Sequence, residues 1–343
     1  MEWSGNMGKP MLSVIVTFYN QEKYVDQALK SIMTQKTEFE FEVLVADDGS
    51  EDGTVKKVQK WIDEYPNQIK LFIMPRDKTK KYFGSFRFCQ ARLYLLNKVQ
   101  GKYFANLDGD DYYIDEMKFQ KQVEILEREE NKDCIACAHD MEKLYPDGSK
   151  KRICAGRLRE RKIGAREYWK NYYLHAESFI IRSSVIKEIP QELVKNAFED
   201  IIQTFFILKY GKIYYIPKVM AVYAQTGEGL WTTGDKTLND VSNMLRYDIA
   251  IQLWPEMKTI TDKKLSNVWW GLLQERKKLS PDKYPILYKE ACDKNLKNSI
   301  MWLQYNSLDF KSKCSLFFLT LCKINLEKYK TKIIQWTINR KYK

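Results

Sequence analysis

The first hydrophobic run, Leu12-Ser13-Val14-Ile15-Val16, is short and β-branched, and the polar turn Thr17-Phe18-Tyr19-Asn20 follows it at once. A run of that length and type predicts a buried strand. Tyr24, Ala28, Leu29, Ile32 and Met33 then recur at helical spacing through about Thr34. The alternation continues with a strand over 41–46, an amphipathic helix over 54–65 carrying Val55, Val58 and Ile62 on one face, a strand over 69–73, a helix over 86–99 and a strand over 103–107. Strands and helices alternating at these lengths predict an α/β fold with a Rossmann-like, mostly parallel central sheet flanked by helices.

After a helix predicted over 114–130 the pattern changes. Short strands are expected over 134–138, 141–145 and 151–153, with Pro146-Asp147-Gly148 as a hairpin turn. A strand over 179–182, a helix over 199–210 and strands over 212–216 and 219–223 complete this half. From about Thr237 the text reads as helix, rich in Trp, Tyr and Lys. The expected organisation is a leader over 1–10, an α/β domain over 11–235 with a change of character near residue 111, and a C-terminal helical extension over 236–343.

Charge alters the picture mainly at the C-terminus. Of the net +12, about +8 falls between Lys311 and Lys343, where nine lysines and arginines face the single acid Glu327. Such asymmetry points to an anionic partner, either nucleic acid or lipid. Basic, aromatic helical text of this kind suits the surface of an anionic membrane, and equally a helical subdomain with solvated lysines. No stretch is long and apolar enough to span a membrane. Seven scattered cysteines and no signal-peptide-like start predict a cytoplasmic protein, peripheral on the inner face of the cell membrane if the tail binds lipid. The lone Cys134-x-x-Cys137 pair reads as core packing rather than as a zinc or redox site, because no second pair has metal spacing.

Candidate chemistry sits at the strand ends. In open α/β sheets ligands bind beyond the carboxyl ends of the strands, so the turns at Thr17, Asp47 and Asp108 are expected to converge on one cleft. The cluster Asp108-Gly109-Asp110-Asp111 would repel itself without a cation, and Mg²⁺ or Mn²⁺ accepts such oxygens while keeping positions open for phosphates. A solvated turn with helix-capping acids is the plain alternative. Asp47-Asp48-Gly49-Ser50 supplies acids able to accept from an N–H on a nucleobase edge, or else to cap the helix at Thr54. Glu199-Asp200 is an acidic pair of the kind a helix dipole favours.

Taken together, these segments resemble the family 2 inverting glycosyltransferases, which have the GT-A fold. The matching text is Leu12 to Asn20, Phe41 to Ser50, Gly101 to Asp111 and Phe198-Glu199-Asp200, in that order, within a resemblance covering roughly residues 10–235. It implies transfer of a sugar from a nucleotide-sugar donor, with UDP favoured over dTDP and GDP, to a hydroxyl of a glycan or lipid-linked acceptor in surface polysaccharide synthesis. Residues 11–111 would form the nucleotide-sugar-binding half and 112–235 the acceptor-binding half. Thr17, Tyr19 and Asn20 would line the nucleoside pocket, and Asp47 or Asp48 would read the base. Asp108 and Gly109 would contact the donor, and Asp108 and Asp110 would hold Mn²⁺ or Mg²⁺. Asp200, or its neighbour Glu199, would be the catalytic base.

The text departs from the family over 78–87, Lys-Thr-Lys-Lys-Tyr-Phe-Gly-Ser-Phe-Arg, where donor contacts are expected but the usual asparagine and small residues are missing. The Gln-x-x-Arg-Trp pattern of processive synthases is also absent, which favours single addition. His175 is a candidate for the acceptor pocket, and Trp231, between Gly229 and Gly234, for a mobile lid. Two other classes compete. A sugar-phosphate nucleotidyltransferase would place a Gly-rich phosphate loop where this chain has Thr17 to Asn20. A non-catalytic nucleic-acid-binding protein is suggested by charge alone, but acid-lined strand ends would repel phosphate without a metal, so no nucleic acid is expected.

Overall fold

A computed structural model of the chain describes residues 9–77, 79, 83–154, 159–171, 174–227, 236–274, 279–309 and 311–314. Contacts divide the chain into two compact units, residues 1–233 and 234–343. The first unit begins with β1 (Leu12–Phe18), α1 (Val25–Met33), β2 (Phe41–Asp47), α2 (Thr54–Glu64), β3 (Ile69–Ile73), α3 (Gly84–Leu96) and β4 (Tyr103–Asp108). It continues through β5 (Tyr112–Tyr113), α4 (Lys118–Glu127), β6 (Cys134–Leu144), β7 (Lys150–Arg152), β8 (Arg161–Ile163), α5 (Ala165–Asn171), β9 (Ile180–Arg182), α6 (Gln191–Val194), α7 (Asp200–Tyr210) and β10 (Lys212–Ala224).

These strands form one mixed sheet in the order β3-β2-β1-β4-β9-β6-β10-β5, with β7 on β6 and β8 on β10. The first four positions are parallel throughout. Their strands are joined by helices because parallel neighbours need a crossover. β9 runs antiparallel between β4 and β6, and β10 returns parallel to β6. Val14 and Val16 of β1, Val43 and Val45 of β2 and Ala105 and Leu107 of β4 share one core with Ala28, Leu29 and Ile32 of α1 and Val58 of α2. Ile15 and Leu44 alternate with these and so face the other side of the sheet. The thiols of Cys134 and Cys137 are buried in this unit, and burial pushes both pKa values up, that of Cys134 to about 11.

Two strand breaks expected from polar residues do not occur. His139 and Asp140 interrupt the apolar text, yet β6 runs through them without a gap, and both are buried. Asp140 is satisfied mainly from the neighbouring β7 segment: its carboxylate accepts from Arg152 Nε at 2.9 Å and from the backbone N–H groups of Met141 and Cys154. Pro217 likewise does not end β10; the chain passes it as an irregularity in the ladder between Ile216 and Val219. The helix expected over 114–130 is shorter, because Asp115 caps the turn at Met117 and Lys118 before α4 begins.

Lys118 opens α4 fully buried, its Nζ without a hydrogen-bond partner among the described residues and 4.3 Å from the ring centre of Tyr113. Burial pushes its pKa down from 10.5 to about 7. Between those values the unfolded chain binds more protons than the folded one, so stability rises with pH across that window. Below it the full cost of burying the charge is present. Lys118→Met is expected to stabilise the protein at pH 6 by roughly 1–4 kcal/mol and to flatten the rise between pH 7 and 10. Thermal melts of both proteins across that range check this; a Met variant melting lower at pH 6 contradicts it.

The second unit holds α8 (Lys236–Leu253), α9 (Lys258–Gln274), α10 (Pro285–Asp293) and α11 (Lys297–Leu303). Trp269 of α9 and Trp302 of α11 meet in its interior with ring centres 6.1 Å apart. Asp248 of α8 caps α11, accepting from Ser299 N at 2.9 Å and from Asn298 Nδ2 at 2.8 Å. No helix among the described residues is long and apolar enough to cross a membrane. Most of the basic tail, residues 315–343, lies outside the described residues.

Candidate active site

Register brings the candidate turns together. Thr17 lies opposite Asp108 and Phe18 opposite Asp47, so β1, β2 and β4 end level with one another. The turn after β1 is tied to the one after β2: Asn20 N–H donates to Ser50 Oγ and Glu51 N–H to Asn20 Oδ1, both at 2.8 Å. Asn20 holds a φ of 51°, in the left-handed region that asparagine tolerates better than most residues. Its side chain is thus engaged in joining the two turns. Gly109 donates to Thr17 O at 3.1 Å, and a Cβ there would stand 2.3 Å from Phe18 Cδ1. Only glycine fits so close an approach.

Asp47 and Asp48 differ in their surroundings. Asp47 Oδ2 accepts the N–H groups of Gly49 and Ser50 at 3.0 and 2.8 Å, while Oδ1 is buried with no hydrogen-bond partner among the described residues. Asp48 is flanked by two arginines: Arg87 Nε donates to Oδ1 at 2.7 Å and Arg76 Nη1 stands 3.5 Å from Oδ2. The Arg76 guanidinium also lies 4.0 Å over the ring of Tyr19, which is 44 % exposed. A flat, half-exposed ring beside a carboxylate and two guanidinium groups is a surface suited to a nucleobase.

The acids after β4 are crowded and poorly solvated. Burial raises the pKa of Asp108, with the charge of Asp200 adding to the effect and Arg92 opposing it. Asp110 is pushed up to about 6, by burial first and then by Asp108. Asp111 is held well above the carboxylate range by burial and by both neighbours; one oxygen accepts the Ala224 N–H at 2.8 Å, and the other is buried with no hydrogen-bond partner among the described residues. Three carboxylates resisting ionisation at one turn match what a divalent cation would relieve, and their oxygens suit Mn²⁺ or Mg²⁺. Among the described residues, Asp111, His175 and Glu177 also offer ligand atoms within 4.8 Å of one another.

Arg92 of α3 connects this turn to the other half of the domain. Its side chain is 1 % exposed; Nη2 pairs with Asp108 Oδ1 at 2.8 Å and Nη1 stands 3.8 Å from Asp200 Oδ1. Phe88 covers the guanidinium at 4.4 Å. Asp200 is the first residue of α7, and its Oδ2 also faces Ala176 N–H at 3.3 Å and His175 Nε2 at 3.9 Å. Glu199 points elsewhere, with Cys89 Sγ 3.6 Å from its Oε1. Asp200, rather than Glu199, therefore shares a cation with Asp108. Trp231 lies outside the described residues.

Sequence reading overlooked Arg76, Arg92 and Glu177. Arg92 carried a usable signal, a single cation between Cys89, Ala91, Leu93 and Leu95 on the buried side of α3. Arg76 sits in a loop with no periodicity, and nothing local marks it.

The parallel strands β1, β2 and β4 thus end in the arginine-flanked Asp48 beside Tyr19 and in an acid cluster, with Asp200 held across from that cluster by Arg92. Residues 13–190, more than half of the chain, match the profile of Glycosyl transferase family 2. In sequence the chain is similar to an uncharacterized protein of Mycobacterium tuberculosis, 27 % identical over 224 residues, which are 64 % of this chain and 60 % of that one. The chain thus spans less than two thirds of that relative's length. In structure it is similar to S. aureus TarS 1-349 in complex with UDP-GlcNAc, with a TM-score of 0.50, 18 % identity and coverage of 86 % of this chain and 91 % of that one. It is also similar to the mannosyltransferase PcManGT from Pyrobaculum calidifontis in complex with GDP-Man and Mn²⁺, with a TM-score of 0.50, 14 % identity and coverage of 92 % and 87 %. Fold, strand-end acids and profile agree: the chain belongs to glycosyltransferase family 2 and has the GT-A fold.

Proposed function

We propose that the protein is an inverting, metal-dependent glycosyltransferase that moves a sugar from a nucleotide-sugar, with UDP preferred, to a hydroxyl of a glycan or lipid-linked acceptor in surface polysaccharide synthesis. In this reading residues 11–111 bind the donor and 112–235 the acceptor, with 236–343 as a helical extension whose basic end meets an anionic membrane. The observation that carries it is the pairing of one buried arginine, Arg92, with acids from both halves: Asp108 on the donor side and Asp200 on the acceptor side.

The reading assigns these roles, which the geometry supports. Tyr19 and the arginine-flanked Asp48 receive the base, with Thr17 and Asp47 at the floor of the same rim. Asp110 and Asp108 would hold Mn²⁺ or Mg²⁺, with Asp111 as a helper; when bound, the ion supplies charge for the departing diphosphate, as a Lewis acid. Asp200 takes the acceptor proton as the acceptor oxygen bonds the anomeric carbon. A single in-line displacement inverts that carbon, and no side-chain nucleophile is needed. His175 borders the acceptor.

Calorimetry of the purified chain with UDP, dTDP and GDP, each with and without Mn²⁺, tests the donor site. TarS and PcManGT were solved with UDP-GlcNAc and GDP-Man, so both nucleotides belong in the set. The expected result is metal-dependent binding of one nucleotide, weakened at least ~10-fold in Asp110→Ala. Equal binding without metal, or no binding of any nucleotide, overturns the assignment.

A further inference from the structure

The short turn before β9 sets a buried glutamate beside a histidine. Ser178 fastens the turn by donating to His175 O from its N–H at 3.0 Å and its Oγ at 2.7 Å. Gln122, itself buried, donates to Ser178 O and Cys137 O at 2.9 and 2.7 Å. Glu177 is fully buried within this frame. One of its carboxylate oxygens meets His175 Nδ1, and the other is buried with no hydrogen-bond partner among the described residues. Asp111 reaches the same place from the turn between β4 and β5. It is 1 % exposed; Oδ1 accepts the Ala224 N–H, and Oδ2 is likewise buried with no partner among the described residues. One nitrogen of His175 and one oxygen from each of Asp111 and Glu177 all lie within 4.8 Å of one another.

Two buried carboxylates brought together without a cation are costly. Among the described residues no lysine or arginine pairs with either of them, and Arg92 is committed to Asp108 and Asp200. A buried water would satisfy the two orphaned oxygens but would leave their charge uncompensated. We propose that Asp111, His175 and Glu177 form a second divalent-cation site, separate from Asp108 and Asp110, that takes a transition-metal ion such as Mn²⁺, Co²⁺ or Zn²⁺. An imidazole nitrogen with two carboxylates suits such ions better than Mg²⁺ or Ca²⁺, which prefer oxygen alone. Ligand atoms of one such ion stand about 3–3.5 Å apart, so the three groups need to close by only about 1–2 Å. The His175 side chain is 11 % exposed and leaves a way in, while the two acids are enclosed. An ion so enclosed is a structural one: it joins the turn after β4 to the turn before β9. The second of these turns also carries the Ala176 N–H that faces Asp200 Oδ2 at 3.3 Å, so the ion would brace the wall beside Asp200. It would do so whether or not the chain transfers sugar.

The test uses the full chain stripped of metal, with Co²⁺ alone as the probe and no nucleotide present. Visible absorption follows the titration, and melting curves are recorded with and without the ion. Wild type and Asp110→Ala are expected to bind Co²⁺ within ~3-fold of each other and to melt higher with it. His175→Gln and Glu177→Gln are expected to bind it at least ~10-fold more weakly and to lose the rise in melting temperature. Pulsed EPR of bound Mn²⁺ gives a readout that needs no variant. The chain has two histidines, and His139 is closed within β6, so coupling to an imidazole nitrogen marks His175. No Co²⁺ bound by the wild type overturns the proposal, and so does unchanged binding in His175→Gln or Glu177→Gln. Binding lost in Asp110→Ala overturns it too, because the ion would then be the one at Asp108 and Asp110. If Glu177→Gln does not fold, His175→Gln and the nitrogen coupling decide by the same criteria. Calorimetry with UDP and Mn²⁺ on the same preparation separates the two sites. A wild type that holds the Co²⁺ but binds no nucleotide defeats the functional reading and leaves this site standing; one that binds nucleotide but no nitrogen-ligated ion defeats only this proposal.

Discussion

Asp200→Asn is expected to lower sugar transfer by about 10²–10⁴-fold while nucleotide binding with Mn²⁺ stays near wild type. The carboxylate faces Arg92, His175 and the Ala176 N–H, and neither the guanidinium nor the amide can take a proton from an acceptor hydroxyl in its place. An asparagine keeps the shape and can still accept from Ala176 N–H, so the fold and the donor rim at Tyr19 and Asp48 should persist. Calorimetry with the preferred nucleotide and steady-state rates on the same preparation separate the two effects. Transfer within 10-fold of wild type would remove Asp200 from the chemistry and direct attention to His175. Lost nucleotide binding would place Asp200 on the donor side instead.

Arg92→Met carries the second large effect, this time on stability as well as rate. The guanidinium is enclosed by Phe88 and by two acids, and its removal leaves Asp108 and Asp200 without their shared cation. Breaking a buried pair in this way costs roughly 3–5 kcal/mol, which in a domain of this size lowers the melting temperature by about 10 °C. Arg92→Lys should recover part of that loss, since an ammonium can reach one carboxylate but cannot fork to two. Added Mn²⁺ should raise the melting temperature of Arg92→Met more than that of wild type, because the freed acids have a stronger demand for a cation. Melting curves of the three proteins with and without Mn²⁺ decide this. A Met variant as stable as wild type would mean that the two acids are neutral without Arg92.

The parallel half of the sheet was legible because β1, β2 and β4 are buried almost throughout and so read as predominantly apolar runs ended by polar turns. The acids at those ends were legible for the same reason, since Asp47 and Asp108 follow directly on Val45-Ala46 and Asn106-Leu107. Beyond residue 130 the reading was weaker. His139 and Asp140 look like a break only until Arg152 is known to neutralise Asp140 from the paired strand β7, a contact between residues 12 apart that no local pattern encodes. Arg92 and Glu177 were missed for a related reason. The partners of Arg92 lie on other elements, Glu177 is buried by residues distant in sequence, and along the chain each looks like an ordinary polar position in a helix or turn. The side chain of Asn20 was read as a nucleoside contact, whereas the structure engages it with the turn after β2.

The two-residue strand β5 has a consequence for the acids that precede it. It pairs with β10 at the far end of the strand order, four places from β4. In a flat sheet four places would separate β5 from β4 by about 19 Å, yet the four steps from Asp108 to Tyr112 can reach no more than about 14 Å. The sheet must therefore curl back toward β4, and Tyr113 reports the closure by donating its hydroxyl to Asn106 O at 2.8 Å. Asp108, Gly109, Asp110 and Asp111 form the strap across that closure, anchored at one end by β4 and at the other by β5. The strap is folded into a turn, Asp111 N–H donating to Asp108 O at 2.9 Å, so a cation bound there would meet acids already spaced, at little cost in ordering entropy.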